Sequence, residues 1–136
     1  IQARGKPDRR RYIWQDFGVF PNLDYTDLSD NKCYGQILPN WVKCANLTTL
    51  KISNNNISGD IPIELVEAIK LGKLHVSSNH LIGKLPKELW KLKSLVELKI
   101  NNNHLSGNIP TEIGLLKNLQ HLDLAKNELS GTIPKQ

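Results

Sequence analysis

Apolar residues return along this chain at a fixed spacing of 24 positions, with no insertion between copies. The clearest copy is residues 95–113, LVELKINNNHLSGNIPTEI. Its opening leucine, Leu95, recurs as Leu47, Leu71 and Leu119, and an Ile-Pro or Leu-Pro pair closes the unit at residues 61, 85, 109 and 133. A spacing this regular indicates a repeat architecture, in which each unit buries its apolar side chains against its neighbours.

The unit divides into segments with different patterns. Alternating polar and apolar residues in 49–53 predict a short strand with Leu50 and Ile52 facing inward. Stacked copies of this strand, about 4.8 Å apart, predict a parallel sheet on the concave face. A glycine suited to positive φ follows, as at Gly107, and Pro-x-Glu-Leu at 86–89 predicts a short helical or 3-10 turn on the convex face, with proline near the first helical position.

One asparagine occupies the turn after each predicted strand. Its side chain carries both a donor and an acceptor, so it can bond main-chain groups that lack a partner in the sheet. Stacked copies predict a continuous asparagine ladder, and loss of one member should cost about 1–3 kcal/mol because buried groups lose their partners. The ladder consists of Asn31, Asn55, Asn79, Asn103 and Asn127.

The repeat pattern divides the chain into two regions. Residues 1–22 form an irregular basic segment, in which 12–22 match the tail of an eroded repeat. Residues 23–136 form a domain of about five repeats, the last of which stops early. An apolar edge left open in this way predicts a longer parent protein, end-to-end self-association, or packing of residues 1–11 over one end.

Composition excludes several classes of partner. The chain has 136 residues, of which 39% are hydrophobic and 23% charged, and its net charge is +5, as in ordinary soluble proteins. The charge is not gathered into a basic stripe with stacking aromatics, so nucleic acid is not an expected partner. No apolar run is long enough for membrane contact and no signal-peptide segment opens the chain, which suggests a mature or excised piece.

Two cysteines and two sequons bear on the compartment. Cys33 and Cys44 fall on apolar slots and fit either small core residues or a disulfide. Asn46 and Asn56 each begin an Asn-x-Ser/Thr triplet and are candidate glycosylation sites, which suits a secreted chain. Such triplets also arise by chance in a sequence rich in these residues.

The consensus L-x-x-L-x-L-x-x-N-x-L-S-G-x-I-P-x-x-L, seen in residues 95–113 and in LQHLDLAKNELSGTIP at 119–134, resembles the plant extracellular subtype of the leucine-rich repeat. Residues 17–62 further resemble part of the ectodomain of plant receptor-like kinases of the male-discoverer-interacting type. The resemblance implies an α/β fold, a right-handed leucine-rich-repeat solenoid at the cell surface that recognises an extracellular ligand and pairs with a co-receptor. The paired-cysteine caps, transmembrane helix and kinase domain of such proteins are not part of this sequence.

The outward positions of the predicted strands form columns across the repeats, which offer a binding surface. Two adjacent columns run from Tyr25 to His121 and from Asp27 to Asp123, and two further ones begin at Ser29 and Asp30. Lysines around the central histidine form a modest basic patch, which suits a carboxylate or sulfate of a peptide. A solvated charged face without a ligand is the alternative. The predicted ligand-binding residues are Lys51, Lys73, His75, Glu97, Lys99, His121 and Asp123.

Catalytic and metal chemistry are not predicted. His80 and His104 occupy the same slot in successive repeats, so their rings are expected about one strand spacing apart. Two histidines do not complete the four ligands of a structural zinc, so no metal site is expected. The chain lacks Gly-x-Ser-x-Gly, His-Glu-x-x-His and a phosphate-cradling glycine loop, so neither an enzyme nor a cofactor is expected.

These features predict a non-catalytic extracellular recognition module, a fragment of a plant receptor-like kinase ectodomain with a peptide or protein ligand on its concave face. A full-length parent could carry a Ser/Thr protein kinase domain. The alternative is a secreted inhibitor of a cell-wall-degrading enzyme, similar to polygalacturonase-inhibiting proteins, which use the same repeat. An ice-binding relative would need regular outward rows of Thr or Asn, and the asparagine run 101–103 is too local for that.

Overall fold

Two parallel sheets organise the residues that the computed structural model describes, which are 12–13, 24–37 and 46–130. Sheet A contains Tyr25–Asp27 (β2), Thr49–Lys51 (β4), Lys73–His75 (β6), Glu97–Lys99 (β8) and His121–Asp123 (β10). Sheet B contains Tyr12–Ile13 (β1), Cys33–Gln36 (β3), Asn56–Gly59 (β5), His80–Lys84 (β7), His104–Asn108 (β9) and Glu128–Ser130 (β11). Strands of successive repeats lie side by side in both sheets, which confirms the predicted solenoid.

Sheet A corresponds to the sheet predicted on the concave face. Its strands pair residues one period apart, so that Lys51 lies opposite His75, and the other strand pairs keep the same register. The middle residue of each strand faces inward, and Leu50 and Leu98 are fully buried there. The residues on either side of it face outward in two columns that run across all five strands.

Sheet B is not foreseen by the sequence pattern. In β7, for example, Leu81 is fully buried, whereas Ile82 is 55% exposed. Gly83 adopts a φ of 86° inside the same strand, a conformation that L-residues rarely adopt. One inward side chain beside such a glycine gives no period-two pattern, so the sequence pattern does not predict a strand here. Tyr12 pairs with Cys33 and so adds β1 to the sheet, whereas residues 1–11 and 131–136 lie outside the described residues.

A short 3-10 turn follows sheet B in the three repeats where this segment is described. The turns span Ile63–Glu67, Lys87–Lys91 and Thr111–Leu115, and no α-helix occurs in residues 12–13, 24–37 and 46–130. The preceding proline has φ between −70° and −61° and an extended ψ, so it lies at the N-cap. The proline is therefore directly before the first helical position, which agrees with the expectation of proline near it, and its extended ψ keeps it outside the helical turn.

The apolar slots of the repeat form one core between the sheets and the 3-10 turns. The opening leucines Leu47, Leu71 and Leu95 are fully buried, and Leu119 is 8% exposed. The core therefore runs through the interior as a continuous column, and each side chain in it is covered by the repeats before and after its own.

Candidate functional site

The asparagine after each sheet A strand fixes the turn that leads away from the face. Asn79 donates from Nδ2 to the carbonyls of Ile52, Val76 and Ser77 at 3.0, 3.1 and 3.2 Å. Its Oδ1 accepts the N–H of Ile57 at 3.0 Å. Asn55, Asn103 and Asn127 bond the equivalent carbonyls and N–H groups, and Asn31 bonds the carbonyls of its own repeat. Each ladder asparagine from Asn55 onward therefore joins the main chain of two repeats and connects sheet A with sheet B.

The third and fourth predicted columns do not belong to the strands, which is a correction to the sequence reading. Strand β4 ends at Lys51, and Asn54 adopts a φ of 58° in the turn. The residues at its slot in the other repeats have φ between 55° and 59°. The sequence does not reveal where each strand ends, because the residues of the turn are polar like the outward residues of the strand.

Polar side chains of these turns bond one another across repeats. Asn54 Nδ2 donates to Asp30 Oδ1 at 2.6 Å, and the N–H of Ser77 donates to Ser53 Oγ at 3.1 Å. Ser77 Oγ in turn donates to Asn101 Oδ1. These groups hold neighbouring repeats together, so the outward strand positions of the candidate surface are the two columns of sheet A.

At the centre of that surface a histidine and a glutamate form a close pair. His75 Nε2 lies 2.8 Å from Glu97 Oε1, and Lys73 Nζ lies 3.8 Å from Glu97 Oε2. The His75 and Glu97 side chains are only 15% and 19% exposed, whereas that of Lys73 is 46% exposed. The glutamate therefore neutralises part of the basic patch that the sequence predicts, and Lys73 is no longer an isolated cation.

Protonation at this pair follows from its surroundings. Burial lowers the pKa of His75 below its ordinary value, and Lys99 and Lys51 act in the same direction, which together outweigh the hydrogen bond to Glu97. Burial alone would raise the pKa of Glu97, but the bond from His75 and the charges of Lys73 and Lys99 lower it overall. At neutral pH a neutral imidazole with its proton on Nε2 thus donates to an ionised carboxylate.

Two lysines on the same column remain available to an anion. Lys51 and Lys99 flank His75 in register, both are half-buried, and neither forms an ion pair within the described part of the chain. Lys51 Nζ lies 6.0 Å from the ring centre of Tyr25. The side chain of Asp123, at one end of the column, accepts the N–H of Ala125 at 3.1 Å.

At the ends of the two columns the predicted residues are placed differently. His121 and Asp123 are exposed on β10, whereas Asp27 on β2 is 2% exposed and accepts the N–H of Ser29 at 3.1 Å. Register therefore brings Lys51, Lys73, His75, Glu97 and Lys99 into one cluster, with His121 and Asp123 at its margin.

The other residues singled out in the sequence lie away from this cluster. Asn46 is exposed and accepts a bond from Lys70 Nζ at 3.3 Å, whereas Asn56 is half-buried on β5. Cys33 has a free thiol in the core, where burial raises its pKa to about 11. Cys44 lies outside the described residues.

The histidines of sheet B stack on one another. The ring centres of His80 and His104 are 6.3 Å apart with an angle of 11° between planes, farther than one strand spacing. Within residues 12–13, 24–37 and 46–130, no three His, Cys, Asp or Glu side chains are grouped as metal ligands would be.

Sequence comparison identifies the repeat directly. The family model described as Leucine Rich Repeat matches residues 46–67, 70–92, 94–116 and 118–136. The chain belongs to the leucine-rich-repeat family. Comparison of this leucine-rich-repeat chain with curated proteins gave no match. In the described residues, no helix is both long and apolar enough to cross a membrane.

Solved structures of plant receptor ectodomains resemble this leucine-rich-repeat chain closely. The Arabidopsis thaliana GASSHO1/SCHENGEN3 ectodomain, in complex with CASPARIAN STRIP INTEGRITY FACTOR 2, has a TM-score of 0.80 at 33% identity over 84% of this chain. The Arabidopsis receptor kinase HAESA ectodomain, in complex with an IDA peptide hormone, has a TM-score of 0.80 at 41% identity over 84%. The BIR2 ectodomain from Arabidopsis thaliana has a TM-score of 0.77 at 38% identity over 79% of this chain.

This chain is much shorter than those receptors. It spans 14% of the GASSHO1/SCHENGEN3 chain, 19% of the HAESA chain and 57% of the BIR2 chain. The comparisons therefore establish the repeat and its similarity to plant receptor-kinase ectodomains, and the narrower resemblance to the male-discoverer-interacting type stays a prediction.

Proposed function

We propose that this chain is part of an extracellular plant receptor-kinase ectodomain and that it binds a peptide or protein ligand, without catalysis, on the outward columns of sheet A. The main support is the register of sheet A, which sets charged side chains of consecutive repeats beside one another. The similarity to the HAESA and GASSHO1/SCHENGEN3 ectodomains, whose structures contain ligands, supports the same role.

The size of the face limits how much ligand this chain can hold. Five strands at about 4.8 Å spacing extend over about 19 Å, which matches about six residues of an extended peptide at roughly 3.3 Å per residue. A longer ligand would need repeats beyond those described here. We therefore expect this chain to recognise one part of a peptide and to leave the remainder to the longer parent.

Charge suggests which part of a ligand is recognised. Lys51 and Lys99 lie on either side of His75 and form no ion pair among the described residues, so a carboxylate or sulfate between them would gain two favourable interactions. Glu97, in the adjacent column, holds His75 and Lys73 in place beside that position. Because Glu97 already fixes His75 and Lys73, these two side chains lose little further entropy when a ligand contacts them.

A co-receptor would complete the assembly. The HAESA ectodomain has also been solved with IDA and the co-receptor SERK1, at 38% identity and a TM-score of 0.69 to this chain. We expect an analogous partner for the longer parent, in contact with an edge of the solenoid while the ligand occupies sheet A.

The proposal is tested by ligand capture from plant extracellular fluid on the immobilised chain, followed by mass spectrometry. A Lys51→Glu, Lys99→Glu variant should lose a short peptide that the wild type retains. A Lys84→Glu, Lys87→Glu variant, with the same charge change at exposed positions outside sheet A, should retain it.

A gentler variant separates charge loss from misfolding. Lys51→Gln with Lys99→Gln removes the two cations without adding like charge beside Asp27 and Asp123, their neighbours in the column. Equal capture by this variant and the wild type would overturn the placement of the site. Recovery of a polygalacturonase in place of a peptide would favour the inhibitor alternative.

A further inference from the structure

A second charged surface lies at the C-terminal ends of the three 3-10 turns, outside the strands of sheet A. We call it the lysine patch, and its members come from three consecutive repeats. Within it, Ile69, Lys93 and Lys117 share one slot of the repeat, and Lys91 and Leu115 share another. The lysine patch consists of Lys70, Lys91, Lys93 and Lys117 together with Ile69, Trp90 and Leu115.

The positive charge of the patch is not balanced within the described chain. Glu67 is the one acidic residue among 66–70, 90–94 and 114–118, against four lysines. All four lysines are exposed, and the ion pairs of the described residues do not include them. Lys70 bonds the side-chain carbonyl of Asn46 at 3.3 Å, and Lys93 Nζ lies 4.7 Å from the ring centre of Trp90.

Two apolar members of the lysine patch are largely exposed. Ile69 is 60% and Leu115 is 45% exposed. The repeat does not require an apolar residue at either slot, because lysines occupy the same slots in neighbouring repeats. The core beneath is filled by other residues, such as Ala68 and Leu116, which are fully buried. Packing of the solenoid interior therefore does not require the side chains of Ile69 and Leu115. Exposed apolar groups rimmed by charge are typical of protein contact sites.

A concavity gives the patch a defined shape. A cavity of about 530 Å³ is lined by Lys93, Leu115, Lys117 and Asn118. Asn118 Nδ2 donates to the carbonyl of Lys93 at 3.0 Å, which fixes the floor between two repeats. Two lysines thus line a hollow that also carries an exposed leucine.

We propose that the lysine patch binds an acidic protein segment that carries apolar side chains, with carboxylates at Lys93 and Lys117 and an apolar side chain in the hollow beside Leu115. Charge complementarity selects an anionic partner. A uronic-acid polysaccharide has no aliphatic side chain to cover Ile69 and Leu115. A lipid surface favours a continuous apolar face, which the interspersed lysines interrupt. This proposal does not depend on ligand binding at sheet A.

Calorimetric titration of the whole chain with synthetic probes tests the proposal. The acidic amphipathic probe is a twelve-residue peptide of Glu-Glu-Leu repeats, and the comparison probes are polyglutamate of equal length, polygalacturonate and phosphatidylserine vesicles. We expect the amphipathic peptide to bind the wild type about tenfold more tightly than Lys93→Glu, Lys117→Glu, a difference of about 1.4 kcal/mol. Leu115→Ser should weaken binding about threefold, and Lys51→Gln, Lys99→Gln should leave it unchanged.

Five results would overturn the proposal. Equal binding of polyglutamate and the amphipathic peptide, or an unchanged affinity in Leu115→Ser, would show that charge alone is recognised. Preferential binding of polygalacturonate or of vesicles would assign the patch to a polysaccharide or a membrane surface. Loss of peptide binding in Lys51→Gln, Lys99→Gln would place the probe on sheet A.

Discussion

Substitution of Asn79 by alanine tests how the asparagine ladder holds two repeats together. Asn79 is 5% exposed, and its side chain bonds main-chain groups of its own repeat and of the preceding one. The carbonyls of Ile52 and Val76 each accept a second bond from a neighbouring ladder asparagine, so both keep a donor in the variant. The buried N–H of Ile57, in contrast, loses the oxygen that it bonds at 3.0 Å.

The expected loss of stability follows from the number of main-chain groups that lose their hydrogen-bond partner. One buried donor left without an acceptor costs about 1–3 kcal/mol, so Asn79→Ala should lower the free energy of unfolding by that amount. Asn79→Asp should cost more at neutral pH. It keeps an acceptor for the Ile57 N–H, but it places a charged oxygen where Nδ2 now donates to three carbonyls. Since folding then raises the pKa of the aspartate, the extra loss should shrink as the pH falls toward its folded value.

Urea unfolding followed by circular dichroism measures these differences in the free energy of unfolding. The comparison requires that the slope of this free energy against urea concentration is the same in each variant. Amide hydrogen exchange should show a local loss of protection at Ile57. Asn118→Ala is the matched control, because that side chain is exposed and makes one bond, to the carbonyl of Lys93. The reasoning is refuted if Asn79→Ala costs no more than this control, or if Asn79→Asp is milder than Asn79→Ala.

Further substitutions probe the turns, the core and the acid response. Gly83→Ala should cost about 1–2 kcal/mol in urea unfolding, because its φ is 86°. Lys126→Gly should raise stability by a few tenths of a kcal/mol, since φ is 56° there. Thr26→Val should stabilise by about 1 kcal/mol, because the buried Thr26 hydroxyl has no hydrogen-bond partner in the described structure. His75→Gln should flatten the loss of stability between pH 7 and 5, which arises because folding lowers the His75 pKa and so disfavours its protonation.

Controls and contrary outcomes separate these effects. Gly72→Ala should be nearly neutral, because a Cβ there meets only ordinary contacts at 3.6 Å and φ is not positive. An equal cost at Gly72 and Gly83 would remove the conformational explanation. A destabilised Thr26→Val would indicate that the hydroxyl is satisfied. A wild type whose stability does not fall on acidification would contradict the assignment of a neutral, buried His75.

The repeat period carried most of the fold that could be predicted. It placed Leu50 and Leu98 inward and set the outward columns in register, because a constant spacing brings equivalent slots together. It did not reveal sheet B, whose strands contain a positive-φ glycine and a single buried side chain, as in His80–Lys84. The left-handed turn at Asn54 was missed for a related reason, since polar residues continue unchanged after the strand ends.

The sequence predicts which residues of the candidate site share a column, but not the net charge of the site. Sequence spacing placed Lys51, His75 and Lys99 in one column, since only the register was needed. The bond between His75 and Glu97 depends on side-chain direction and burial, which spacing does not specify. The cluster around His75 on sheet A is therefore less basic than its number of lysines suggests. Binding of an anion there depends on Lys51 and Lys99.

The four histidines of the chain offer the most direct test of ligand binding on sheet A. His75 and His121 lie on sheet A, whereas His80 and His104 lie on sheet B, so their ring protons report on the two sheets separately in nuclear magnetic resonance spectra. On titration with a peptide captured from plant extracellular fluid, the proposed function predicts that the His75 signals shift while those of His80 and His104 stay unchanged. Shifts confined to His80 and His104 would contradict it.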